Sequence, residues 1–146
     1  MPDLLTADAV PTAWARAALR HQLGRWEAGR VIAGIGVDMT EISRLAAALA
    51  RTPGLAERLF AQSERRSSVR ELAGSFAAKE ALAKALGAPK GLRWTDAVVH
   101  REPGGRPVLE VTGTVAAAAA AAGISAWHVS ISHDGGFCLA MVVAER

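Results

Sequence analysis

The stretch that constrains this chain most is Phe76 to Ala85, the run Phe-Ala-Ala-Lys-Glu-Ala-Leu-Ala-Lys-Ala. From Glu71 to Leu86, Ala, Leu, Glu and Lys dominate, and no proline or β-branched residue interrupts. That composition predicts a strong helix. Leu72, Phe76, Ala83 and Leu86 recur at helical spacing and predict one apolar stripe. Lys79 falls near the middle of the stripe and Glu80 on its edge. Lys84 lies one turn beyond Glu80 on the same side. A lysine and a glutamate at the margin of a buried face are costly unless something pairs with them. The ordinary reading is a Glu80–Lys84 pair that supports a surface helix by roughly a few tenths of a kcal/mol. The other reading is a site, and the rest of the chain bears on the choice.

At 146 residues, one compact domain with a sizeable core is expected. Hydrophobic content of 51% against 21% charged residues is that of a globular chain. The net charge of +3 is uneven: Glu41 to Arg106 holds 12 Lys or Arg against 7 Asp or Glu. A basic middle attracts an anionic partner, whether nucleic acid, a phosphorylated small molecule or an acidic protein. The single cysteine, Cys138, sits in an apolar run and reads as a buried small hydrophobe. One thiol forms no internal disulfide, which suits a reducing cytoplasm. No apolar run reaches membrane-spanning length, so no membrane partner is expected. The first residues carry Asp3 and Asp8 without a basic start and apolar block, which argues against a secretory signal.

Residues 1–30 read as an N-terminal helical extension, with Trp14, Leu19, Leu23 and Trp26 as apolar contacts and no catalytic signal. Residues 31–146 form the main domain. Val31 to Val37 predicts a strand whose alternating glycines mark a bulge or a close approach of another backbone or a ligand. Asp38 ends that run, and a helix is expected from Thr40 to Ala50. A short apolar helix over Leu55 to Phe60 precedes a polar loop, Gln62 to Arg70, where Arg65, Arg66 and Arg70 form a candidate anion-binding edge. Gly87 stops the central helix. Arg93 to Arg101 and Val108 to Val111 predict a hairpin. Val115 to Ala122 predicts an alanine helix. Ala126 to Ser132 and Phe137 to Ala144 predict a second hairpin around His133-Asp-Gly-Gly. The expected class is α+β, with a mainly antiparallel sheet and the long central helix packed on it.

Three polar clusters fall at element ends: Asp38, Glu80 with Lys84, and His133. Asp38 and Glu80 can supply the two carboxylates that Mg²⁺ takes when waters and phosphates fill its other positions. Lysines beside such a metal suit phosphoryl-type transfer. Gly34-Ile-Gly36 lacks the third glycine of a dinucleotide fingerprint. No Cys/His spacing supports zinc. No Gly-x-Ser-x-Gly elbow surrounds Ser130 or Ser132.

Together, Gly34-Ile-Gly-Val-Asp38-Met-Thr-Glu41-Ile42, Phe76-Ala-Ala-Lys79-Glu80-Ala-Leu-Ala-Lys84-Ala85 and Val129-Ser-Ile-Ser-His133 resemble the signature blocks of holo-[acyl-carrier-protein] synthase. This is the small, single-repeat class of 4′-phosphopantetheinyl transferases, here in actinobacterial style. The resemblance covers roughly Val31 to Glu145. It implies transfer of 4′-phosphopantetheine from coenzyme A to the serine of an apo acyl carrier protein, with release of adenosine 3′,5′-bisphosphate. It implies Mg²⁺ on Asp38 and Glu80, and Lys84 steadying phosphate. It places Lys79 and His133 at the coenzyme pocket, with Arg70 as a further coenzyme contact. Arg44 matches a residue that docks the acidic carrier protein, and Arg51 is assigned to the same face. The family resemblance also implies a homotrimer with shared active sites and a role in fatty acid biosynthesis. The base for the serine is either Glu80 or a water on the metal.

Two departures stand out. Ser75 occupies a position that is often arginine, which removes one phosphate contact unless Arg65, Arg66 or Arg70 compensates. The block after Leu59 lacks a usual threonine. Ser75 supports an alternative reading, a homologue that binds coenzyme A or carrier protein without catalysis. A nucleic-acid-binding module is disfavoured, because aromatic residues make up only 5% of the chain and stacking platforms are scarce.

Overall fold

The computed structural model describes residues 31–146. The expected N-terminal helix lies outside the described residues. Strand β1 (Ile32–Glu41) leads into helices α1 (Ile42–Arg51) and α2 (Leu55–Leu59). A 3₁₀ turn (Glu64–Arg66) precedes the central helix α3 (Val69–Ala85), and a second (Trp94–Asp96) precedes β2 (Ala97–Arg101) and β3 (Pro107–Val111). Helix α4 (Gly113–Ala121) and strands β4 (Ala126–Asp134) and β5 (Phe137–Glu145) complete the chain. The fold is α+β. One antiparallel sheet runs β1-β5-β4, and the β2–β3 hairpin forms a second.

Helix α3 starts earlier than its composition predicts. Ser68 is its N-cap: the Ser68 hydroxyl accepts from the Glu71 amide, and the Glu71 carboxylate accepts from the Ser68 amide at 2.8 Å. This capping box draws Val69 and Arg70 out of the expected loop and into the first turn. At the far end, Gly87 takes φ 78°, the Ala88 amide donates to the Ala83 carbonyl and the Gly87 amide to the Lys84 carbonyl. That is a Schellman stop, as the glycine predicts.

The predicted single stripe gives way to a helix buried almost all round. Leu72, Ala73, Ala77, Ala78, Ala81, Leu82, Ala83 and Ala85 are buried, while Phe76 is only partly covered. The cause is that α3 meets β1, β5, β4, β2 and α1 on different sides. Its alanines face Ala140, Val142 and Ala144 of β5, all fully buried. Small side chains on both layers let the backbones come close. A Cβ on Gly36 would lie 1.8 Å from the Ala81 carbonyl oxygen, and one on Gly34 2.0 Å from that of Ala85. The backbone whose approach the glycines announce is therefore α3.

Several boundaries shift. β1 runs on to Glu41, so Asp38 lies inside the strand, opposite Ala140, rather than at its end. His133 likewise lies within β4, opposite Cys138, because the turn tightens to Gly135-Gly136, both at positive φ. The first residues of the expected Arg93–Arg101 strand form a 3₁₀ turn instead. Asp96 there accepts from the Thr114 amide and hydroxyl, each at 2.7 Å, and so holds the first turn of α4. Cys138 is fully buried, as expected.

The outer face of the larger sheet is apolar and open. Ile35, Val37 and Met39 of β1 register with Val143, Met141 and Leu139 of β5. Ile35 is 60% exposed and Met141 44%. Among the described residues, no helix is long and apolar enough to cross a membrane.

Gly36→Ala must force α3 off β1, since the new methyl meets backbone rather than a side chain that could turn away. The expected loss is about 3 kcal/mol or more, and urea unfolding at wild-type stability would refute it. Ser68→Ala should cost about 1 kcal/mol at neutral pH. Hydrogen bonds from Ser68 hold the Glu71 carboxyl below its ordinary range. That contribution is present above the ordinary glutamate range and fades as pH falls through the depressed folded value. The Ser68→Ala cost should therefore shrink in acid, which unfolding at two pH values would register.

Candidate active site

Asp38 follows Gly36 by two positions on β1 and so points to the face that α3 covers. Lys84, in the last turn of α3, reaches back across this tight seam. Its ammonium donates to Asp38 Oδ1 at 2.8 Å and to the Val37 carbonyl at 2.9 Å. The ordinary helix-surface pair of Lys84 with Glu80 is thus replaced by bonds to the strand. The Asp38 side chain is 19% exposed and that of Lys84 50%, so the cluster lies at the domain surface. The Thr40 hydroxyl donates to Asp38 Oδ2 at 3.4 Å.

Glu80 completes the group. Burial pushes its carboxyl pKa up, the neighbouring Asp38 charge raises it further, and Lys84 opposes both. Two carboxylates close enough to repel, with Lys84 bonded to one and acting on the charge of the other, suit a hard divalent cation. Among the described residues, no group of three or more His, Cys, Asp or Glu gathers to hold a metal. A cation here would take two protein carboxylates and leave its other positions to water and phosphate oxygens.

Lys79 departs from its expected place at a coenzyme pocket. It is fully buried, and its ammonium donates to Glu64 Oε2 and to the Leu59 carbonyl, each at 2.7 Å. It also stands 5.1 Å above the Phe60 ring. Desolvation pushes its pKa down, and Glu64 opposes that. Glu64 escaped the sequence reading because it sits in a polar, arginine-rich run. It also accepts from the Ala61 amide at 2.9 Å and the Val99 amide at 3.2 Å. The signal that could have found it was Lys79 itself, since a lysine at the centre of a buried helix requires an acid.

His133 and Arg70 meet at the other end of α3. The His133 Nε2–H donates to the Arg70 carbonyl at 3.3 Å, and the ring packs over Gly74, where a Cβ would lie 3.2 Å from Nε2. From Arg70 to Lys84 is 14 helical residues, or about 20 Å. Within one chain the structure therefore brings Asp38, Glu80 and Lys84 together but leaves His133 and Arg70 apart from them. The expected anion-binding edge is also dispersed. Arg65 pairs with Glu57 at 3.3 Å, and Arg66 and Arg70 are exposed on separate turns. The cation that shares a hollow with Ser75 is Arg101, together with Ser63, Ser67, Glu71 and His100. Arg101 comes from β2, which the sequence reading did not connect to Ser75.

Arg44 and Arg51 are exposed on α1, Arg51 as its last residue. Arg44 stands at the rim of an apolar hollow of about 240 Å³ lined by Leu45, Ala48, Leu55, Leu59 and Phe76. Thr40 lines the same hollow and links it to Asp38.

A carboxylate pair and a lysine on a strand–helix seam, within an α+β fold of this order, match a known class. The profile of the 4′-phosphopantetheinyl transferase superfamily matches residues 34–142, and the chain belongs to that superfamily. Within it, the chain is similar to the holo-[acyl-carrier-protein] synthase of Streptomyces coelicolor, 60% identical over 120 residues that span 78% of this chain and 98% of the relative. The Helicobacter pylori holo-[acyl-carrier-protein] synthase, solved in complex with coenzyme A, aligns with a TM-score of 0.67 and 31% identity over 75% of this chain and 98% of that one. The Neisseria meningitidis holo-[acyl-carrier-protein] synthase aligns with a TM-score of 0.70 and 28% identity, over 80% of this chain and all of that one.

Lys79→Met or Glu64→Gln leaves the other group buried without its ionic partner. Each single change should cost about 3–5 kcal/mol. The double variant should recover part of that loss, measured as a double-mutant cycle by thermal unfolding. Additive losses would show that the two groups act separately.

Proposed function

We infer that this chain is a holo-[acyl-carrier-protein] synthase. It moves 4′-phosphopantetheine from coenzyme A to the serine hydroxyl of an apo acyl carrier protein and releases adenosine 3′,5′-bisphosphate. The observation that carries the reading is the Asp38–Glu80–Lys84 cluster, set in a chain 60% identical to a holo-[acyl-carrier-protein] synthase.

The serine oxygen bonds to the phosphorus that carries pantetheine, and the bond from that phosphorus to the bridging oxygen breaks. The serine proton goes to a base, and the electron pair leaves with the adenosine bisphosphate. Lys84 offers an ammonium to the phosphate oxygens as charge gathers there. Glu80 is one candidate for that base. Asp38 and Glu80 would hold Mg²⁺. When bound, that ion supplies charge neutralisation on the pyrophosphate and the leaving bisphosphate.

The working unit in this reading is a homotrimer with shared sites. Two features support it: the open apolar strip of β1 and β5, and the separation of His133 and Arg70 from Asp38 along α3. A neighbouring copy would bring its His133 and Arg70 to the coenzyme phosphates. Arg44 and Arg51, beside the apolar hollow, suit a helix of the acidic carrier protein, and this docking should weaken with salt. The lone buried thiol fits a cytoplasmic setting, and transfer to an acyl carrier protein suits a role in fatty acid biosynthesis.

Intact-mass spectrometry of an apo acyl carrier protein with coenzyme A and this chain should show the gain of one phosphopantetheine group with Mg²⁺ and no gain with chelator. No gain with several carrier proteins would favour a binding-only homologue. Glu80→Gln should lower the rate at least about 100-fold with an unchanged circular dichroism spectrum. Arg44→Glu should raise KM for the carrier protein and leave coenzyme A binding intact. Loss of coenzyme A binding in that variant would remove Arg44 from the docking face.

A further inference from the structure

We propose that Lys84 is a resident counter-ion for the carboxylate pair. It holds the cation's place on Asp38 until coenzyme A arrives, and so makes cation binding depend on the coenzyme. This rests on the reading that Asp38 and Glu80 hold a divalent cation. The ammonium hydrogen-bonds Asp38 Oδ1 at 2.8 Å, so a metal at that oxygen must displace it or share it. Displacement is feasible because Lys84 has a second anchor, the Val37 carbonyl at 2.9 Å. Its side chain is also half exposed, which leaves it room to turn. Thr40 keeps its hold on Oδ2 and fixes the carboxylate while Oδ1 changes partner.

The electrostatics give the direction. Asp38, Glu80 and Lys84 sum to a formal charge of minus one. Without a phosphate, Lys84 neutralises one carboxylate and lowers the affinity of the pair for any added cation. The coenzyme's pyrophosphate offers Lys84 a more highly charged partner. Lys84 can then leave Asp38 for a phosphate oxygen and free Oδ1 in the same step. Cation and coenzyme therefore promote each other's binding, and linkage makes the effect equal in both directions. A lysine that only steadied phosphate would leave cation affinity in the free chain unaffected.

The test uses Mn²⁺ as probe, with free ion measured by electron paramagnetic resonance for the full chain, with and without coenzyme A. Binding of Mn²⁺ to coenzyme A alone is subtracted. The wild-type chain should bind Mn²⁺ weakly alone and roughly tenfold or more tightly with coenzyme A. Lys84→Met should bind Mn²⁺ about tenfold more tightly than wild type when coenzyme is absent, with a smaller gain on adding it. Lys84→Arg, which keeps the charge, should stay close to wild type. Circular dichroism checks folding, and Lys84→Gln replaces the methionine variant if that one does not fold. Equal or weaker Mn²⁺ binding by the neutral variant overturns the proposal, as does tighter binding by Lys84→Arg as well. Either result beside normal transfer by the wild type leaves the transferase reading standing. A wild type that neither binds Mn²⁺ with coenzyme A nor modifies a carrier protein overturns both.

Discussion

Ala81 presses its backbone carbonyl into the space above Gly36, closer than any residue with a Cβ would permit. From this contact the rest of the domain takes its dimensions. With alanine on the helix and glycine on the strand, the layers touch backbone to backbone. Their attraction comes from many close atom pairs rather than from large side chains. The same closeness sets the chemistry. Asp38 is two residues beyond Gly36, and Lys84 is three beyond Ala81, so a lysine side chain spans the seam to the carboxylate without strain. A helix seated a few ångströms further out would carry the Lys84 ammonium out of hydrogen-bond reach of Asp38.

The second fixed point is the Lys79–Glu64 pair. Burying two charges costs several kcal/mol each unless their hydrogen bonds are filled. Here they are. Lys79 has Glu64 and the Leu59 carbonyl, and Glu64 adds the amides of Ala61 and Val99. The pair thereby ties together three segments: the connector before α3, α3 itself and β2. Because Glu80 is the next residue after Lys79, the pair also fixes the rotation at which α3 presents Glu80 to Asp38.

The sequence makes the central helix plain, since Ala, Leu, Glu and Lys dominate it from Glu71 onward. Its start is harder to see, because Ser68, Val69 and Arg70 belong to an arginine-rich run that reads as loop until the Ser68–Glu71 capping bonds are known. Gly34 and Gly36 announce a close approach, but nothing near them says that the partner is a helix more than forty residues away. The carboxylates and Lys84 were legible as signature residues, whereas their mutual contacts were not. Lys79 misled for a physical reason. A lysine on an apolar face looks functional from the sequence, and its acid, fifteen residues away in a polar run, gives no periodic signal. The resemblance assigns His133 and Arg70 to the coenzyme pocket, and the structure places them at the opposite end of α3 from the carboxylates.

That distance has a genetic consequence. If the two ends of α3 meet only across neighbouring copies, each working site draws on two polypeptides. A chain damaged at His133 still carries a sound Asp38–Glu80–Lys84 cluster, and a chain damaged at Glu80 still carries a sound His133. Neither would rebuild such a site alone. Mixed assemblies would then contain junctions where the sound ends face each other, so two inactive alleles expressed together would restore a share of function that neither has by itself.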